Sequence, residues 1–226
     1  MRLLLRLVIV TVIACAVPSP ALNAQDDSTL YVVSYVEAAP ASQGRVAALL
    51  KQLADASRKE GPLRYEVLQG TTQPNQFVIL EVWKNQQALD AHAAAAETRQ
   101  FREQVAPLLL APIDPRLCVA TTVAPLREGR GAVYVVTHID VGPGAGRENA
   151  ARYIQEFAEQ SRKEAGNLRF DVGHQRDKTN HFTAIEVWAD QKSDNDHELA
   201  AHTRTFRAQI GPLLGALYDQ RSYKPL

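Results

Sequence analysis

Two histidines stand at matching places in this chain, and their surroundings suggest acid–base chemistry. His92 lies nine residues beyond Trp83 and His197 nine beyond Trp188; each tryptophan closes a Glu-Val-Trp triplet begun by Glu81 or Glu186. A histidine of ordinary pKa, near 6.5, suits a general base working close to neutral pH. The competing role is packing of a helix histidine against the tryptophan-bearing strand. The tryptophans divide likewise, between stacking on an aromatic ligand and anchoring the core at a sheet edge. Ser57 and Ser161 end two apolar stripes, where they either line a pocket or bond back to their own helix. Arg99 and Arg204, followed by Arg102 and Arg207, could hold an oxyanion or form a solvated helix face. Tyr65 and its counterpart Phe170 extend an apolar wall, and the loss of the hydroxyl favours packing there.

Other polar residues carry weaker signals. Glu81 and Glu186 share the strand parity of the tryptophans. They are expected on a sheet face bare of helices, paired with Arg64 or Arg169 on the neighbouring strand. His202 follows His197 by five residues, whereas the first copy has Glu97 in that place. Five residues on a continuous helix turn through about 140°, so the two histidines are expected on different faces and are not assigned as a metal pair. His174 and His181 flank an expected hairpin turn and would face each other, but no carboxylate spacing supports a metal there. No metal and no cofactor is assigned.

These residues recur because the chain is a tandem. Tyr31-Val32-Val33 returns as Tyr134-Val135-Val136, Ser57-Arg58-Lys59-Glu60 as Ser161-Arg162-Lys163-Glu164, and Pro107-Leu108-Leu109 as Pro212-Leu213-Leu214. The offset grows from 103 to 105 residues along the repeat. Solenoid units run about 20 to 50 residues, so this period is that of a small domain. Domains are expected over 30–122 and 133–223, with Gly129-Arg130-Gly131 between them.

Each copy reads β-α-β-β-α-β. In the first, strands are expected at 30–37, 63–69, 76–83 and 115–122, with a helix over 44–60 and a second, in two pieces, over 86–109. Val46, Leu49, Leu50, Leu53, Ala54 and Ser57 repeat at helical spacing, and Gly61-Pro62 ends that helix. The second copy carries strands near 133–140, 168–175, 181–188 and 217–223, with helices near 146–164 and 191–214. This order gives α+β, ferredoxin-like units with helices on one sheet face. Strand 76–83 is apolar on both faces, so both faces are expected to be buried. Two such sheets packed together make an intramolecular pseudo-dimer.

Residues 1–24 have the pattern of a signal peptide: Arg2 and Arg6, then an apolar run from Leu7 to Val17, then small residues and prolines. Cleavage after Ala24 gives a periplasmic or secreted protein; a lipobox reading of Val12-Ile13-Ala14-Cys15 gives one anchored through Cys15. Ordinary cleavage leaves Cys118 alone, so the fold must rest on its core. Lys+Arg and Asp+Glu both number 25, which leaves no net field to recruit nucleic acid.

The motifs in order also carry a family resemblance. They are Ser-Arg-x-Glu at 57–60 and 161–164, Leu-x-(Tyr/Phe) at 63–65 and 168–170, the Glu-x-Trp triplets, the histidine nine residues on, and Thr-x-x-Phe at 98–101 and 203–206. Each copy resembles the antibiotic biosynthesis monooxygenase domain of the dimeric α+β barrel superfamily, over nearly all of 30–122 and 133–223. Members usually pair as homodimers; here the pair is expected as a fusion. The resemblance implies a small pocket between sheet and helices and, in many members, oxidation of quinols, phenols or polycyclic aromatics by O2 without metal or flavin. It implies catalysis by His92 or His197, with His202 completing the His-x4-His part of the family pattern in the second copy. Trp83, Trp188, Ser57, Ser161, Arg99, Arg204, Tyr65 and Phe170 are then the substrate-binding candidates. The implied partners are a small aromatic or quinol-like molecule and O2. The heme-degrading branch has Trp where His92 and His197 stand and Asn on the first strand, unlike Ser34, Tyr35, Thr137 or His138 here. The alternative is a non-catalytic protein that binds a small hydrophobic ligand.

Overall fold

A computed structural model describes residues 29–124, 133–142, 144 and 146–226. The expected leader, with Cys15 and both cleavage points, and the Gly129-Arg130-Gly131 connection lie outside the described residues.

The first unit contains β1 (Leu30–Glu37), α1 (Gln43–Ser57), β2 (Arg64–Gly70), β3 (Gln76–Trp83), α2 (Gln86–Ala94), α3 (Ala96–Val105) and β4 (Asp114–Thr122). The second repeats it with β5 (Val133–Asp140), α4 (Gly146–Ser161), β6 (Asn167–Gln175), β7 (Lys178–Trp188), α5 (Gln191–Glu198), α6 (Ala201–Ile210) and β8 (Asp219–Pro225). All strand pairs are antiparallel, and the eight strands close into one barrel in the order β1-β3-β2-β8-β5-β7-β6-β4. The closing strands are β4, which pairs with β1 of its own unit and β6 of the other, and β8, which pairs with β5 and β2. Each unit therefore supplies the strand that covers the other's edge, and closure removes the free edges of two separate sheets.

The alternation of each strand sorts residues between two environments. Val33, Leu68, Val78 and Leu80 meet Tyr134, Val136, Ile185, Val187 and Tyr223 inside the barrel. The opposite parity packs under the helices. There the α1 stripe, Val46 to Ala54, covers Val32, Val36, Val67, Phe77 and Ile79. In the second unit Ile154, Phe157 and Ala158 cover Ile139, Phe170, Val172 and Phe182. Both faces of β3 are buried as expected.

The parity assigned to the Glu-Val-Trp triplets needs correction. Glu81, Trp83, Glu186 and Trp188 lie on the helix-covered side rather than a bare face. The polar parity of β2 and β6 instead enters the barrel, where Arg169 Nη2 is 2.8 Å from Glu66 Oε2 and its Nε 3.7 Å from Asp171 Oδ2. Arginine and carboxylate pair at this barrel end across the two units, which removes the expected partners of Glu81 and Glu186. His174 and His181 also separate. A register shift beside His174 sends its Nδ1 to Thr121 Oγ1 at 3.1 Å, while His181 Nδ1 meets Asp140 Oδ1 at 2.7 Å.

The second helix breaks in each unit. Ala95 (ψ 147°) and Ala200 (ψ 150°) are extended, separating α2 from α3 and α5 from α6. The preceding helices start on side-chain caps: Asn85 Oδ1 accepts from Ala88 N at 3.0 Å, and Asp190 Oδ1 from Ser193 N at 2.8 Å.

Candidate active site

Strand register builds the wall of the site. Tyr65 on β2 lies directly opposite Glu81 on β3, and both point under the helices. Two residues further on, Trp83 Nε1 donates to Glu81 Oε2 at 2.8 Å. The short α2 then lays His92 on Trp83, with ring centroids 4.8 Å apart and planes 26° from parallel. A 3-10 turn at the end of α1 brings in Glu60, and Gly61 ends that turn at φ +82°, a left-handed conformation suited to glycine. Glu60 Oε2 stands 2.9 Å from His92 Nδ1; Glu81 Oε2 stands 3.6 Å from Nε2.

This geometry determines what His92 can do. The Glu60 carboxylate accepts the Nδ1 proton, which leaves Nε2 as the basic nitrogen on the side of Glu81. The ring is thus oriented by one carboxylate and faces a second. Burial pushes the Glu81 carboxyl above the usual range, partly opposed by the Trp83 hydrogen bond and by His92.

Both residues open onto a cavity of about 520 Å³. Its lining is largely apolar, with Leu53, Ile79, Phe101, Val105 and Ile113 among the contributors and Ser34, Thr98 and Arg102 adding polar atoms. An apolar cleft of this size with a few convergent polar groups is the usual form of a small-molecule site.

The second unit repeats the carboxylates but not the space. His197 Nδ1 is 2.6 Å from Glu164 Oε1, its Nε2 is 3.5 Å from Glu186 Oε2, and Trp188 Nε1 donates to Glu186 at 3.2 Å. Burial pushes Glu186 up to about 8 and His197 down, although Glu164 resists the latter. Phe157, in the place of Leu53, stacks on Phe206 at 4.2 Å and meets Phe170 edge-on at 5.2 Å. Tyr218 replaces Ile113 and lies beside Glu186 and Arg207. Glu198 replaces Ala93 and pairs with Arg207, while Gln220, in the place of Pro115, donates to Glu198 Oε1 at 2.8 Å. Aromatic rings and this polar clasp occupy the space that the first unit leaves open.

Comparison with known proteins agrees with the fold and its duplication. Residues 29–104 and 132–209 each match the antibiotic biosynthesis monooxygenase family. The chain belongs to that family. An uncharacterized protein of Synechocystis sp. is 30% identical over 105 residues, spanning 44% of this chain and 71% of that protein. A candidate monooxygenase of Fusobacterium nucleatum has the same fold at 16% identity, with TM-score 0.79 over 89% of this chain and 94% of its own. A candidate monooxygenase of Lactobacillus acidophilus gives TM-score 0.72 at 16% identity over 87% and 93%, and an anthrone oxidase-like protein 0.71 at 14% identity over 89% and 92%. In all three one chain spans both units, so the fused pair recurs.

Within this pair of family domains the candidate residues separate clearly. His92 and Tyr65 line the open cavity. Trp83 does not line it but stacks behind His92, and Trp188 plays the same part behind His197 at 4.5 Å. Ser57 and Ser161 bond back to Leu53 O and Phe157 O, each at 2.8 Å, and stand outside the cavity lining. The Tyr65 hydroxyl is buried beside Ser57 without a hydrogen bond of good geometry. Arg99 and Arg204 donate to Ala94 O and Leu199 O at the helix breaks; Arg102 faces the cavity instead. Phe170 packs among the rings that fill the second unit. His197 and His202 converge after all, because the break between α5 and α6 voids the continuous-helix angle: His202 Nε2 lies 3.0 Å from the same Glu164 oxygen as His197 Nδ1.

The sequence candidates omitted Glu60 and Glu164 and gave Glu81 and Glu186 a structural part. Both pairs sit inside motifs that occur twice, Ser-Arg-Lys-Glu and Glu-Val-Trp. Their recurrence beside the histidines was the available signal.

Proposed function

We propose that the protein is an exported, cofactor-independent monooxygenase whose first unit oxidises a quinol-like or phenolic small molecule with O2. One observation carries this reading: His92, oriented through Nδ1 by Glu60, lines together with Glu81 an apolar cavity of about 520 Å³. A phenolic hydroxyl held there gives its proton to Nε2, and the Glu60 carboxylate stabilises the resulting imidazolium. The electron-rich anion is the reductant. It transfers an electron to O2, and the carbon radical and superoxide combine to form a C–O bond. Loss of water from the hydroperoxide leaves a quinone-type carbonyl. One oxygen atom enters the product and the other leaves as water with two substrate hydrogens. The protein contributes orientation, a base and a site from which water is excluded. An anthrone, the substrate class in the name of one structural neighbour, has this chemistry.

The test is oxygen uptake by purified protein with reduced quinols, anthrones and polyphenols, above the autoxidation rate. His92→Ala is expected to lower kcat at least about 100-fold, the usual share of a general base, and His197→Ala to leave it within a few-fold. Uptake that survives His92→Ala discards the base. Saturable binding of these compounds with no uptake replaces the enzyme by the ligand-binding reading. Export is tested by fractionating cells that express the full chain, beside a Cys15→Ala variant that separates free from anchored protein.

A further inference from the structure

The closed second unit gathers ligating groups that the open one lacks. His197 Nδ1, His202 Nε2 and a Glu164 carboxylate oxygen all lie within 4.8 Å of one another, drawn from α5, α6 and the turn after α4. In the first unit the place of His202 is taken by Glu97, so the two-histidine, one-carboxylate set exists once among the described residues. We propose that this cluster binds a divalent first-row transition ion, which locks the second unit while the first keeps the open cavity.

The chemistry of the donor set favours such an ion. Imidazole nitrogens with one carboxylate suit Zn²⁺, Co²⁺, Ni²⁺ or Fe²⁺ rather than Mg²⁺ or Ca²⁺, which seek oxygen. Bonds of about 2.0–2.2 Å place tetrahedral ligand atoms roughly 3.4 Å apart. The present contacts of 2.6 and 3.0 Å to Glu164 would widen by under about 1 Å, within the reach of side-chain torsions, as the ion replaces hydrogen bonds with coordination.

The surroundings support the same assignment. A metal on Nδ1 requires the other nitrogen of His197 to hold a proton and find an acceptor; Glu186 Oε2 stands 3.5 Å from it and is fixed by Trp188. An acceptor on the far ring nitrogen is the outer contact that orients histidine ligands in known sites. His202 and Glu164 are each about a quarter exposed, at 25% and 22% of the side chain, so an ion can enter from the groove between α4 and α6 that His202 borders.

The probe is Co²⁺ added to the chelator-treated full chain, followed by visible absorption and calorimetry, with thermal melts to confirm folding. The expected result is one ion per chain, d–d bands of a nitrogen-containing site and a raised Tm. Displacement by Zn²⁺ should abolish the bands. His202→Gln and Glu164→Gln should each weaken binding at least tenfold while their metal-free melts show a folded chain. Glu186→Gln keeps an acceptor for the far nitrogen of His197 and should leave binding within a few-fold, and His181→Gln, on the Asp140 pair elsewhere, should change nothing. Absence of binding to the folded wild type overturns the proposal. So does binding that persists unchanged in both His202→Gln and Glu164→Gln. Oxygen uptake by the first unit is a separate readout, so failure of either claim leaves the other standing.

Discussion

Glu186→Gln is expected to stabilise the protein at high pH and leave it nearly unchanged at low pH. Glu186 is almost fully buried under the helices, and burial pushes its carboxyl from 4.5 up to about 8. Its native form at neutral pH is therefore the neutral acid, next to a His197 whose own pKa is lowered by burial. A carboxyl with a raised folded pKa contributes its full stability below the unfolded pKa. That contribution is lost as pH rises, because the unfolded chain has released the proton and the folded chain still holds it. The loss runs from about pH 4.5 to about pH 8, at 1.36 kcal/mol per pH unit, for an upper bound of about 5 kcal/mol. A glutamine has the shape of the neutral acid, keeps an acceptor for Trp188 Nε1, and does not titrate. The ΔG difference between variant and wild type, from urea unfolding of metal-free protein at pH 5 and pH 8.5, should grow by several kcal/mol in the variant's favour. A variant equally destabilised at both pH values would refute the reasoning. Glu186 would then be an ionised partner of a protonated His197, 3.5 Å away.

Three further outcomes test other links. His138, inside the barrel between Thr183 (Nδ1 to Oγ1, 3.0 Å) and the Tyr35 hydroxyl, is lowered to about 4 by burial and by Arg116. Its stability contribution is present above pH 6.5 and lost as pH falls towards 4, to a total of about 3 kcal/mol; unfolding between pH 7 and 4.5 should show a shallower acid limb in His138→Gln. Trp83→Phe keeps the ring behind His92 but removes the donor to Glu81, and denaturant unfolding should show a loss of about 1–3 kcal/mol. Leu53→Phe with Ile113→Tyr gives the first unit the bulk of the second and should abolish binding of an apolar fluorescent dye. The reverse pair, Phe157→Leu with Tyr218→Ile, should raise dye stoichiometry from one to two at a cost of about 2–4 kcal/mol in stability.

The architecture was legible because its signals are local and occur twice. The α1 stripe from Val46 to Ser57, the Gly61 stop and the β-α-β-β-α-β order all follow from periods and turn residues. What failed were inferences that depend on partners distant in sequence. The tryptophan parity puts Glu81 and Glu186 on a bare sheet face only if that parity is the one without helices, and their pairing needs Arg64 or Arg169 on the same side. In the closed barrel those arginines belong to the interior, where Arg169 meets Glu66 of the other unit. The angle argument that separated His197 from His202 was sound for a continuous helix and failed at Ala200, whose extended backbone breaks it; the two-piece helix expected in the first copy was not carried over to the second. Ser57 and Ser161 went to their own helices, the alternative such positions always offer.

The duplicated site gives an internal comparison that neither unit gives alone. Tryptophan, glutamate and histidine recur in the same arrangement in both: 3.6 and 3.5 Å from histidine Nε2 to the strand carboxylate, with Nδ1 on a carboxylate from the preceding turn. Such agreement across copies that differ elsewhere means the array does not depend on the cavity for its geometry. It is held by strand register, the tryptophan and the helix cap. The differences fall on positions that bound the space: Leu53 against Phe157, Ile113 against Tyr218, Ala93 against Glu198 and Pro115 against Gln220. A structural role for the histidine–carboxylate array accounts for both copies. A chemical role is added only where bulk is withdrawn, which is why His92, and not its twin, carries the proposed reaction.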